Sequence, residues 1–181
     1  MGIDLSRNRL IKLKKILPLC DLICGDACNL FFLKPKKFNI EISTQVIEHV
    51  PDQISFLKGV YSLLKPQSYF YISSVLKKKN AFWIYRNNGR IVLDPTHIHE
   101  FESQDEFISL LKKNGFSPIY IQTYPVKYGL MECLIRFLNI IGLQIRNTEF
   151  FFINHDWTSH VNKIKIPVPG YLIIEGLFRR C

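Results

Sequence analysis

No stretch of 18 uncharged apolar residues occurs in the 181 residues, which excludes a membrane-spanning helix within this sequence. The opening segment, MGIDLSRNRLIKLKK, lacks the apolar core of a signal peptide, so a cytoplasmic location is expected. Glycine and proline are sparse, nine of each, and this rules out collagen-like or low-complexity character. No C-x2-C pair is present. The five cysteines include Cys20, Cys24 and Cys28, whose spacing of four does not suit a zinc site. Cys20 and Cys24 would share one face of a short strand as small core thiols in a reducing compartment. Acidic residues are also few, 15 against 24 basic, for a net charge of +9. The excess sits in short clusters such as Lys34-Lys36-Lys37 and Lys77-Lys78-Lys79. None has the aromatic interleaving of a nucleic-acid groove, so they are read as solvated loops and helix ends.

What is present suits one α/β domain over 1–181. Ser6 caps a helix over 6–17 that Pro18 ends. CDLICG, 20–25, and the alternating FNIEIST, 38–44, read as strands. A helix opens at Pro51 with Asp52 in its first turn, and Pro66 closes it. SYFYISSVL, 68–76, has the near-continuous apolar character of a central buried strand. Residues 77–101 form a long loop, and Ser103 with Glu106 makes a capping box for a helix through Lys113. IYIQTY (119–124), a helix over 130–143 with a polar stripe of Glu132, Arg136 and Asn139, and YLIIEGLF (171–178) complete the chain. Residues 125–168 read as an insertion or lid before the last strand.

Alternating strands and helices imply right-handed crossovers and a mostly parallel sheet. Ligands of such sheets sit beyond the carboxyl ends of the strands. Candidate residues therefore fall just after positions 25, 43 and 76. In the long loop, His97 and His99 at i, i+2 would point the same way in an extended segment. Two ligands without a third convergent group make a poor metal site, so no metal is expected; the open alternatives are a base and a loop histidine with structural bonds.

The order GIDLS (2–6), GDACNLFF (25–32), FNIEISTQVIEHVPD (38–52), FLKGVYSLLKP (56–66), YFYIS (69–73) and DPTHIHEF…FISLLKKNGF (94–116) resembles the class I S-adenosylmethionine-dependent methyltransferases that act on small molecules. The resemblance covers roughly 1–124. It implies a three-layer, Rossmann-like, mostly parallel sheet with an antiparallel C-terminal strand. S-adenosylmethionine is the implied cofactor, and a small-molecule or glycan-like compound the implied acceptor. By the same resemblance Asp4 would hold the ribose hydroxyls, and Leu5 would pack on the adenine. Asp26 and Ala27 would meet the adenine edge, and Thr44 and Gln45 the methionine half. Glu48-His49 matches the family's Glu-His pair, which is given a loop-stabilising role. His97 and His99 are the substrate-side candidates.

The family's first strand and glycine-rich turn have no counterpart, since no Gly-x-Gly occurs. The sequence thus resembles a methyltransferase truncated at its N-terminus. The resemblance then leaves FNIEIST with an open edge, the 20–25 strand without its usual neighbour, and Glu41 where an aliphatic residue is usual. Two readings follow: methyl transfer, impaired by the missing turn, or a non-catalytic relic or partner subunit. A dimer or partner chain fits the second. The broad apolar face of 130–143 would cap the sheet or, alternatively, rest on a membrane surface.

Overall fold

The computed structural model describes every residue except Phe31, Lys34, Ile141 and 143–162. Eight strands and four helices are described, in the order β1 (Gly2–Asp4), α1 (Arg7–Ile16), β2 (Leu22–Cys24), β3 (Phe38–Thr44), α2 (Gln53–Leu63), β4 (Leu64–Lys77), β5 (Tyr85–Asn87), β6 (Arg90–Val92), α3 (Gln104–Lys113), β7 (Phe116–Gly129), α4 (Leu130–Ile140) and β8 (Lys165–Arg180). The main sheet has the order β3-β4-β8-β7. β3 pairs parallel with β4, whereas β8 runs antiparallel to both of its neighbours. This is the Rossmann-like mixed sheet with a reversed last strand that the segment order implies.

Local chemistry sets the helix boundaries. Ser6 Oγ accepts the Arg9 N–H at 3.3 Å and starts α1. Asp52, expected inside the first turn of α2, is its N-cap, with Oδ1 accepting from Ile54 and Ser55 N–H at 3.0 and 2.9 Å. Ser103 Oγ accepts the Glu106 N–H at 3.1 Å, while the Glu106 carboxylate takes the N–H of Glu102, one residue before the usual capping-box donor.

The core lies between the sheet and helices α2 and α3. Phe56, Leu57 and Val60 of α2 and Phe107 and Leu111 of α3 pack on Phe70 and Ile72 of β4 and on Phe116, Ile174 and Phe178. A second cluster of Val75, Leu93, Val126, Val168 and Tyr171 supports the loop after β4.

Several sequence expectations need correction. The 20–25 strand does not lose its neighbour: β2 pairs in parallel with β1, Asp4 opposite Cys24. β2 begins only at Leu22, so Cys20 lies outside it and the two thiols share no strand face; Cys20 is half-buried and Cys24 exposed. The loop 77–101 contains the hairpin β5–β6, turned by Asn88 and Gly89 at positive φ. The β7–β8 ladder runs on to Gly129 and Lys165, into both ends of the stretch read as an insertion. Within the 130–143 helix, the side chains of Glu132 and Asn139 lie outside the described residues, as do His155, Asp156, Trp157 and His160.

Candidate active site

The carboxyl ends of β1, β2 and β3 meet at one rim. Gly25 N–H donates to the Asp4 carbonyl at 3.2 Å, joining the ends of β1 and β2. Cys28, just beyond β2, donates its thiol to the Asp52 carbonyl at 3.5 Å, joining that rim to the turn after β3. A cavity of about 440 Å³ runs along this side, lined by Gly2, Ile3, Ala27, Phe38, Ile40 to Thr44 and the α2 face of Phe56 and Val60.

The cofactor candidates divide over this rim. Ala27 and Thr44 line the cavity together. Asp4 ends β1 and lines a neighbouring hollow, its Oδ1 accepting the Ser6 N–H at 2.6 Å with Arg9 at 3.7 Å from Oδ2. Asp26 forms a tight turn, Oδ1 accepting from Cys28 N–H at 2.8 Å. Gln45 has a positive φ of 54° and donates its backbone N–H to the Ser73 carbonyl at 3.1 Å. Leu5 is 74% exposed.

The two histidines do not share a direction. The segment 94–100 is turn rather than strand, so the period-two argument does not apply; His97 is buried and His99 exposed. His97 Nδ1 lies 2.8 Å from Glu100 Oε1. With Nδ1 as the donor in that pair, Nε2 is the basic nitrogen. Glu100 is itself held by the Leu93 N–H at 2.7 Å, the Tyr171 hydroxyl at 3.4 Å and Lys77 at 3.9 Å. His49 packs edge-on against His97, ring centroids 4.8 Å apart, with Nδ1 facing the Thr96 carbonyl at 3.2 Å.

Glu48 supplies the third convergent group that the sequence reading lacked. Its Oε2 accepts the Ser74 hydroxyl at 2.9 Å, and its carbonyl takes the N–H groups of Ile98 and His99. Its other oxygen is buried with no hydrogen-bond partner among the described residues, and burial pushes the carboxyl above its usual range against the pull of Ser74 and both histidines. Ligand atoms of Glu48, His49 and His97 all lie within 4.8 Å of one another. Two imidazoles and a carboxylate can exchange a proton or hold a divalent cation. Glu100 escaped sequence reading altogether. The only signal was its i, i+3 spacing from His97, which carries no weight outside a helix.

Ser73 and Ser74 tie the two halves together. Adjacent on β4, they face opposite ways, Ser73 accepting from Gln45 at the rim and Ser74 donating to Glu48 in the histidine cluster.

A family of methyltransferase domains matches residues 7–121. A ubiquinone biosynthesis O-methyltransferase of Ruegeria pomeroyi is 26% identical over 89 residues, covering 46% of this chain and 36% of that enzyme. The chain thus matches about a third of the length of that curated relative. Among solved structures, a candidate methyltransferase of Bacillus halodurans superposes with TM-score 0.67 at 14% identity, covering 99% of this chain and 83% of that one. An S-adenosylmethionine dependent methyltransferase of Mesorhizobium loti gives TM-score 0.57 at 14% identity, with 99% and 79% covered.

Proposed function

This chain belongs to the methyltransferase-domain family, and from that membership we propose that it moves a methyl group from S-adenosylmethionine to a hydroxyl of a small-molecule or glycan-like acceptor. Asp4, Leu5, Asp26, Ala27, Thr44 and Gln45 form the cofactor side. S-adenosylmethionine, when bound, supplies an electrophilic methyl on a sulfonium. Its transfer is an in-line displacement helped chiefly by alignment. His97 takes the acceptor's proton at Nε2 as the new bond forms, and Glu100 fixes its ring by accepting from Nδ1. Glu48 and His49 orient the acceptor, and His99 is exposed at the same turn. The observation that carries this reading is the Ser73–Ser74 pair, which sets the rim and the histidine cluster on neighbouring residues of one buried strand.

Isothermal titration with S-adenosylhomocysteine tests it. Micromolar binding is expected, weakened about tenfold by Asp26→Ala, the loss of one charged hydrogen-bond acceptor. Absence of binding at millimolar ligand overturns the reading.

A non-catalytic subunit of the same ancestry is the second reading. It is favoured by Asp4, whose Oδ1 already holds the Ser6 N–H at 2.6 Å. The two part on this titration.

A further inference from the structure

Between Asp4 and Asp21 the chain holds five basic residues, Arg7, Arg9, Lys12, Lys14 and Lys15, and no acidic one. All five are exposed on α1. Arg9 faces Asp4 at 3.7 Å, and among the described residues no carboxylate lies within ion-pair distance of the other four. Apolar side chains stand bare among these charges: Ile11 is 50%, Leu17 50% and Leu19 97% exposed, and of the helix only Leu10 is buried. The helical period sorts these residues into two flanks. At about 100° per residue, Arg9, Leu13 and Ile16 share the flank turned towards β1, where they line a hollow with Gly2 and Ile3. Arg7, Ile11, Lys14 and Lys15 fall on the opposite flank, away from that hollow. Lys14 Nζ donates to the Cys20 carbonyl at 2.9 Å, which holds the turn carrying Leu19 beside this outer flank.

We propose that the outer flank of α1, with the turn at 17–20, docks on a membrane surface rich in anionic lipid. Ile11 and Leu19 enter the boundary between headgroups and acyl chains, and Arg7, Lys14 and Lys15 meet the lipid phosphates. The unpaired positive charge selects the anionic surface, and the bare aliphatic side chains select lipid over nucleic acid. Residues 5–20 hold no aromatic side chain on which a base could stack, and a phosphate backbone gains nothing from an exposed leucine. The hollow beside β1 and the cavity along β3 take no part. The proposal does not rest on methyl transfer, because it is read by binding alone.

Co-sedimentation of the full chain with vesicles tests this, comparing phosphatidylcholine alone with phosphatidylcholine carrying about one-third phosphatidylglycerol. The anionic vesicles should bind at least about tenfold tighter, and raising salt from about 0.05 M to about 0.5 M should release the protein. Lys14→Gln combined with Lys15→Gln should weaken binding about tenfold or more. Lys112→Gln combined with Lys113→Gln removes the same charge from the last turn of α3 and should leave binding within about twofold. Leu19→Glu should weaken binding as much as the first lysine pair does, with thermal unfolding unchanged because the position is almost fully exposed. Ile11→Gln is the second apolar variant and should act in the same direction. No sedimentation with anionic vesicles, equal binding to neutral ones, or equal losses from the two lysine pairs would overturn the proposal. So would full binding by both Leu19→Glu and Ile11→Gln. An affinity for oligothymidylate that depends on Lys14 and Lys15, with none for vesicles, would assign the flank to nucleic acid and overturn it too.

Discussion

At the residue scale, Glu41 couples stability to pH. Desolvation pushes its carboxyl from 4.5 up to about 8. The unfolded chain loses this proton near the lower value and the folded chain keeps it, so stability is full below the lower value and declines as pH rises towards the upper one. Thermal unfolding at about pH 5 and pH 8 should show the wild type losing stability over this interval relative to Glu41→Gln. His97 provides a second residue-scale expectation. His97→Ala should lower methyl transfer about 10²-fold or more while leaving S-adenosylhomocysteine affinity within about twofold, as measured by turnover beside titration. His99→Ala, at an exposed imidazole, should cost far less. Gly170 is a third. Its φ is +75°, and an added Cβ would stand 2.4 Å from the Ala81 Cα, where the start of β8 clasps the loop after β4. Gly170→Ala should destabilise by at least about 2 kcal/mol in chemical denaturation, because neither backbone can retreat.

At the element scale, boundaries written in local chemistry were legible. β3 covers the expected 38–44 without change, since strict alternation and flanking polar residues define it. The stop of α3 at Asn114-Gly115 follows from Gly115 at φ +88°. Ser103→Ala should lower stability by about 1 kcal/mol in denaturant titration, the usual worth of such a cap. Long strands were read too short. β7 was expected at 119–124 and runs Phe116–Gly129, and β8 was expected at 171–178 and runs Lys165–Arg180. Pro118, Pro125 and Pro167 lie within these longer strands. The ladder absorbs two of them beside register shifts, where a missing N–H costs little.

At the scale of the whole molecule, the sheet is built in two pieces: β1–β2 stands apart from β3-β4-β8-β7. Glu41 lines the cavity between them and is paired in register with Phe70 of β4. The 7–121 family match and the superposition over 99% of the chain both hold across this gap. Packing of α2 and α3 on the four-stranded sheet carries the fold, and β1–β2 adheres through residues 27–30. Leu30 packs against Gly59, where an added Cβ would stand 3.2 Å from Leu30 Cδ1. Amide exchange should therefore be faster in β1 and β2 than in β4 and β8, and uniform protection across both pieces would contradict this division.

By itself the sequence determined the order of elements, the capped helix ends, the strand alternation and the family resemblance carried by GDA, IEHV and DPTHIHEF. Each of these is written within a few consecutive residues, where backbone preference and side-chain period act directly. Only the tertiary structure decided that His97 turns inward and His99 outward, that Glu48 and Glu100 flank the buried imidazole, and that Ser73 and Ser74 join both halves of the site. Those relations unite residues from four segments up to 71 positions apart, as in the contact of Tyr171 with Glu100. No local pattern encodes such a contact, because it is burial of the shared core that brings the segments together.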